Sequence, residues 1–496
     1  MTPAYYYLDP DVLLVSNFQA PILDFLRKAG KAPEIDRQAF YEGFTYKTTP
    51  SDLTLFRGIV PVDFGSEFVF RISPGGSPEL VSRKKEYPIE FSPRGSADPY
   101  GDYLREFEEV VRSYPDDEEF SILFTGGLDS TILLRAGMEL GKKVRAVTAV
   151  QKILKKDDEF AIEYCRKHSV PHDVIELPSD DPFPLFRAAA RATEDADTSL
   201  AGLSVTLSAI CRESRKKGIR TLLTGSYIEP LLGSNPPTLR TLAAFHKNPQ
   251  FFQLRGEFDS KLEIDQTVFS DPTILSTAER MVVNDGAFLR MLSIVLRTIL
   301  HNFCNGGRIP LAPESFFSDG WLAGTDPSRA VFGDCRHSFG KEVRFFDLLT
   351  HTDLAYRGHY RNSLLNEKIG LANGVRILPL FAHANLRRIV FGSSVRERFS
   401  PDEYPVKFED NKMFLKRALG KFVPEEISER GKTEFSVPSY LAWLMNPNDA
   451  GTVRSLLASL SERGVFRKDV LDFLLRMWEK GLPLGVKDAK SLNDAF

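Results

Sequence analysis

Phe124-Thr125-Gly126-Gly127-Leu128-Asp129-Ser130 joins a short apolar run, Phe120 to Phe124, to an apolar helical pattern that ends at Leu140 before Gly141. A glycine pair between a buried strand and a helix lets the backbone approach a ligand closely. The N–H groups of the first helical turn attract anions, and the hydroxyls of Thr125 and Ser130 add donors. Asp129 is out of place at an anion site unless it holds a divalent cation such as Mg²⁺, which bridges carboxylate to phosphate. Read as packing alone, the same residues form a tight strand-to-helix turn in which Asp129 and Ser130 cap the helix.

Downstream the alternation continues. Strand Val144 to Val150 is followed by helix Glu159 to His168, strand Asp173 to Leu177, a long helix ending near Lys217 and strand Thr221 to Thr224. Strands alternating with helices at this spacing predict an α/β fold with a doubly wound parallel sheet. A helical pattern through Tyr103, Phe107, Val110 and Val111 precedes it, and beyond Gln253 the pattern is mostly helical down to Leu474 to Lys480. From Asp52 to Ile72, β-branched and aromatic residues alternate with turn formers, predicting short antiparallel strands. The turn-rich run Ser92 to Pro99 reads as a linker. The expected organisation is a small β-rich domain over 1–98 and a larger domain with a helical C-terminal part over 99–496.

The 496 residues carry 64 lysines and arginines against 67 acids, a formal charge of -3. That balance gives no electrostatic footprint for nucleic acid or an anionic membrane. Cys165, Cys211, Cys304 and Cys335 form no CxxC pair, so neither a zinc cluster nor a disulfide framework is expected and a reducing cytoplasm fits. No signal peptide and no run of 18 apolar residues is seen.

The run from Thr125 to Ser130 resembles the loop Ser/Thr-Gly-Gly-x-Asp-Ser of the ATP pyrophosphatases, which split ATP between the α- and β-phosphates; no Walker A loop is present. The C-terminal half resembles the asparagine synthetase group, which includes the β-lactam synthetases and lasso-peptide cyclases. The resemblance rests on Asn411-Lys412-Met413-Phe414, Val423-Pro424-Glu425-Glu426-Ile427 and Arg430-Gly431-Lys432-Thr433-Glu434-Phe435. Leu223-Thr224-Gly225-Ser226-Tyr227-Ile228-Glu229 resembles the second pyrophosphate and metal motif, Ser/Thr-Gly-x-Gly-x-Asp, with Tyr227 in place of a glycine and Glu229 in place of the aspartate. Ile377-Leu378-Pro379-Leu380-Phe381-Ala382-His383 stands where the family has Arg-Val-Pro-Phe-Leu-Asp-His, so Val375 and Ile377 replace its substrate-side Glu and Arg, with Arg376 one position away as a substitute. Thr54 to Ile59 is similar to the last strands of the family's glutaminase domain, yet Met1-Thr2-Pro3 lacks that domain's cysteine, so a working glutaminase is not expected.

The resemblance implies an adenine nucleotide α-hydrolase-like fold and a ligase that adenylates a carboxylate, releases pyrophosphate and lets an amine displace AMP. ATP and Mg²⁺ are the implied cofactors. Thr125, Gly126, Gly127, Asp129, Ser130 and Gly225 would bind nucleotide, and Asp129 and Glu229 would hold the metal. Lys412 would contact phosphates, Lys432 would offset charge at the reacting centre, and Tyr227 would be an acid/base group. The expected partner is a small-molecule or peptide carboxylate, a precursor peptide or partner protein being the larger alternative, with no nucleic acid and no membrane. A catalytically silent ATP-binding protein and a nucleic-acid-modifying ATP pyrophosphatase are the competing readings.

Overall fold

The computed structural model describes residues 3–46, 49, 53–62, 66–85, 96–150, 156–177, 183–196, 202–233, 317–326, 350, 354, 363–393, 395–398, 412–428, 450–469 and 471–472. In the N-terminal unit, β1 (Tyr5–Asp9) lies between β2 (Val12–Ser16) and β3 (Ile59–Pro61), antiparallel to both. The β1–β2 turn is closed by Asp9, whose carboxylate accepts the N–H groups of Asp11 and Val12 at 2.9 Å each. Helix α1 (Gln19–Lys28) lays Ile22, Leu23 and Leu26 on Tyr5 and Ile59. Helix α2 (Arg37–Tyr46) turns Phe40, Tyr41 and Phe44 toward Phe317, Trp321 and Phe466, so distant segments of the chain complete its apolar face. A hairpin, β4 (Ser66–Arg71) and β5 (Glu79–Lys85), packs Phe68 and Phe70 on the ring of Tyr6. The antiparallel strands expected between Asp52 and Ile72 are β3 and β4; β1, β2 and both helices were not anticipated.

Helix α3 (Pro99–Arg112) opens the larger unit. Its first turn is fixed by Asp98, whose carboxylate accepts the Gly101 N–H at 2.9 Å, and by a proline at the first helical position. The chain then alternates through β6 (Phe120–Leu123), α4 (Leu128–Glu139), β7 (Val144–Val150), α5 (Lys156–Lys167), β8 (His172–Glu176), α6 (Phe183–Thr193), α7 (Gly202–Lys216), β9 (Thr221–Thr224), α8 (Ile228–Leu232), α9 (Leu365–Asn373) and β10 (Arg376–Pro379). It continues in α10 (Ala384–Gly392) and α11 (Met413–Ala418). The five strands form one parallel sheet in the order β10-β9-β6-β7-β8.

Alternate residues of each strand feed opposite faces. Ile122, Ala146 and Leu223 join the core made with α3, α4, α5, α10 and α11, whereas Val147, Leu222 and Ile377 join α6, α7 and α9. The four strands read from the sequence sit within a residue of their expected bounds. The expected long helix is two helices, α6 and α7. The fifth strand, β10, occupies an edge and was not foreseen as a strand.

The two units are locked together by buried charge. Glu194, directly after α6, accepts the N–H groups of Gln19 and Ala20 at 2.9 and 2.8 Å and so caps α1 across the interface. Lys368 of α9 is fully buried, 2.6 Å from the Glu194 carboxylate and 4.7 Å from the centre of the Tyr5 ring. Asp195 accepts the Leu55 N–H at 3.3 Å, and its carbonyl accepts the Thr49 N–H.

Candidate functional site

In an open parallel sheet, ligands collect beyond the carboxyl ends of the strands, where successive connections leave for opposite sides. Here that point lies between β6 and β9, which are neighbours although β7 and β8 separate them in sequence. Both loops singled out from the sequence start there: residues 124–127 follow β6, and residues 225–227 follow β9.

The first loop is built around its hydroxyls. Gly126 has φ = +72°, a left-handed value that glycine adopts without strain. Gly127 is extended and caps α4. The Thr125 N–H donates to Ser130 Oγ at 3.3 Å, the two hydroxyls lie 3.2 Å apart, and Ser130 Oγ and Thr131 Oγ1 both donate to the Gly127 carbonyl. The two loops touch at Gly225. A Cβ there would lie 2.7 Å from Asp129 Cβ and 3.1 Å from the Ser130 nitrogen, so only glycine fits without displacing the Asp129–Ser130 turn.

On the other side of that contact, Tyr227 holds φ = +89° at the start of α8. A left-handed backbone is what a glycine there would adopt without strain, and a tyrosine in that conformation costs about 1–3 kcal/mol. Tyr227 is 2% exposed, packs in the main core and hydrogen-bonds with Arg387; burial pushes its phenol up to about 12. That placement argues for packing and against the acid/base role expected of it. Arg387 carries no motif signal and was not anticipated.

Lys412 completes the cluster from the start of α11. Its Nζ lies 2.6 Å from Asp129 Oδ2 and 3.2 Å from Glu229 Oε1. The lysine is 9% exposed, and its backbone is left-handed, φ = +68°. Burial opposes the ammonium, but Asp129 and Glu229 together outweigh it and hold its pKa above the ordinary lysine value. Thus residues 283 positions apart in sequence converge on one cation position, and the two carboxylates are those expected to hold metal.

Two carboxylate oxygens converging beside a glycine loop that opens a helix are a donor set that fits Mg²⁺, which characteristically takes one or two protein carboxylates and completes its shell with phosphate oxygens and water. Among the described residues no group of three or more His, Cys, Asp or Glu could hold a metal without such help.

Arg376 does not take the place expected of it. It begins β10, opposite Thr221, at the amino end of the sheet and away from the loops, and pairs with Glu118 at 3.1 Å. Val375 and Ile377 are buried in the core beside α9. The strand that carries the motif therefore delivers only its far end, Pro379 onward, to the site side. Lys432, with Arg430, Glu434 and Phe435, lies outside the described residues. Cys165 and Cys211 are buried, and burial pushes both thiols up to about 12, so neither is a ready nucleophile. No described helix is long and apolar enough to cross a membrane.

Residues 104–287 and 332–493 match the model of the asparagine synthase family. No curated protein sequence is significantly similar to the chain. Among solved structures, an NH3-dependent NAD synthetase from Campylobacter jejuni, in complex with nitrate ion, matches at 18% identity with a TM-score of 0.20, covering 43% of this chain and 98% of that one.

Proposed function

The chain belongs to the asparagine synthase family, and from that premise we propose that it is an ATP-dependent ligase that makes an amide by adenylating a carboxylate. The observation that carries the reading is the convergence of Asp129, Glu229 and Lys412 beyond the carboxyl ends of β6 and β9.

A free carboxylate is a poor electrophile, and adenylation gives it AMP as leaving group. In this reading the backbone of Gly126 and Gly127 and the hydroxyls of Thr125 and Ser130 bind the β- and γ-phosphates at the start of α4. Asp129 and Glu229 would hold Mg²⁺, which when bound offsets charge on the departing pyrophosphate. A carboxylate oxygen of the substrate attacks the α-phosphorus, the bond from α-phosphorus to the bridging oxygen breaks, and pyrophosphate leaves with that oxygen. Lys412 follows the phosphates, and Lys432 neutralises charge that develops at the reacting centre. A neutral amine then attacks the acyl carbon, AMP departs, and the amine's proton passes to solvent. Gly225 serves by letting the two loops meet.

The carboxylate is a small molecule or a peptide. The test is to incubate the protein with Mg²⁺, ATP and a panel of amino acids and peptides while following pyrophosphate and AMP. Stoichiometric AMP and pyrophosphate from one of them is expected, and ADP with inorganic phosphate would overturn the reading. Among the described residues the two cysteines, Cys165 and Cys211, are buried, and neither favours a thiolase acting on nucleic acid.

A further inference from the structure

Lys412 does more than stand near a metal site: its ammonium occupies the point at which both carboxylates aim. We propose that Lys412 is the resident counter-cation of Asp129 and Glu229 in the nucleotide-free protein, so that a divalent ion gains the site only together with nucleotide phosphates that draw the ammonium away. This rests on the reading of Asp129 and Glu229 as metal-holding acids.

Three features of the chain carry it. The first is charge. The carboxylate pair bears two negative charges, and one ammonium already offsets half of that in a half-buried site, where charges interact more strongly than in bulk water. The ammonium stands between Asp129 Oδ2 and Glu229 Oε1, the position that a dication bridging those two oxygens would take.

The second is the ligand set. With two protein carboxylates there among the described residues, a bare metal ion would exchange a complete hydration shell for a site already neutralised in part, whereas a metal arriving on a polyphosphate brings most of its ligands along. The polyphosphate also supplies the negative charge that can receive the displaced ammonium.

The third is anchorage. The α11 backbone is held by Phe414 and Leu415, both fully buried, so the helix stays in place. The lysine's four methylenes give Nζ the reach to pass from carboxylate to phosphate with no movement of the fold.

Metal and nucleotide binding are then positively coupled, and by linkage each raises the affinity of the other by the same factor. The experiment is a Mn²⁺ titration of the full-length protein followed by electron paramagnetic resonance, without nucleotide and with α,β-methylene ATP, in wild type, Lys412→Met, Lys412→Gln and Asp129→Asn. Wild type without nucleotide is expected to show no saturable site that Asp129→Asn removes. Lys412→Met is expected to gain a saturable Mn²⁺ site without nucleotide, at least about tenfold tighter than the weakest binding that the wild-type titration would detect, a difference of about 1.4 kcal/mol. Lys412→Gln, which keeps a hydrogen-bond donor without the charge, is expected to do the same and serves if the methionine variant does not fold.

Tight Mn²⁺ binding to nucleotide-free wild type that Asp129→Asn abolishes would overturn the inference and leave the ligase reading standing. Unchanged Mn²⁺ affinity in both lysine variants would do the same. Absence of Mn²⁺ binding at Asp129 even with the nucleotide analogue would instead overturn the reading of the two acids themselves.

Discussion

Gly225→Ala is the sharpest probe of the way the two loops are joined. The added Cβ would sit 2.7 Å from Asp129 Cβ, 3.1 Å from the Asp129 carbonyl carbon and 3.1 Å from the Ser130 nitrogen. Carbon atoms in contact prefer about 3.5–4.0 Å, so one loop must retreat by about 1 Å, and two of the three obstructing atoms are backbone. A displacement of that size at a catalytic constellation costs about 10²-fold in rate, and overpacking of a filled site costs about 1–3 kcal/mol of stability. Pyrophosphate release with any carboxylate that supports turnover should therefore fall about 10²-fold, together with a lower urea midpoint. Gly127→Ala is the matched control. Its Cβ would meet only Thr125 Oγ1, at 3.4 Å, and the backbone there is extended, so the stability loss should be no more than about 1 kcal/mol, that of exchanging glycine for alanine at a helix cap, while the KM for ATP rises, because the methyl group obstructs phosphate and not protein. Wild-type turnover and stability in Gly225→Ala would refute the argument that the β9 loop positions Asp129. A wild-type KM for ATP in Gly127→Ala would mean that phosphates do not approach that backbone.

Lys368→Met removes the fully buried cation between Glu194 and Tyr5 and should cost about 3–5 kcal/mol in urea unfolding, because an unpaired carboxylate remains inside; a loss under about 1 kcal/mol would show that the network does not hold the two units together. His172, whose ring nitrogen lies 2.8 Å from Thr148 Oγ1, has its pKa lowered from 6.5 by burial. The unfolded chain therefore takes up the proton first, and stability should decline as pH falls from about 6.5 through the lowered folded value. His172→Asn should flatten that decline in urea midpoints measured from pH 7.5 to 5, and an unchanged slope would refute the assignment. Lys432→Met should lower kcat about 10²-fold with little change in the KM for ATP; weakened ATP binding at constant kcat would refute the role carried over by resemblance.

The parallel strands β6 to β9 were legible because a strand covered on both faces is a nearly continuous apolar run, as Phe120 to Phe124 and Val144 to Val150 are. β10 was not, since Arg376-Ile377-Leu378-Pro379 is four residues long and ends in a proline that only an edge tolerates. The break between α6 and α7 was hidden for another reason. Glu194 favours helix by propensity, yet it leaves the helix with φ = +52° so that its carboxylate can cap α1 from 175 residues away. No local pattern contains that information.

At the site the motif letters were legible and their geometric meaning was not. Tyr227 counted as a departure from a Gly-x-Gly pattern, whereas its φ of +89° places it in the conformation that a glycine there would adopt at no cost. The pattern therefore selects a backbone shape, of which glycine is one solution and a tyrosine held by the core and by Arg387 is another. Lys412 bears the same strain at the same site. Two left-handed side chains, each costing free energy that a glycine would not, persist where one anchors the β9 loop and the other presents a cation to Asp129 and Glu229. Their strain is offset by half-buried partners on α10 and beyond the carboxyl ends of β6 and β9, so the backbone shape and the charge pairing are consequences of one packing arrangement.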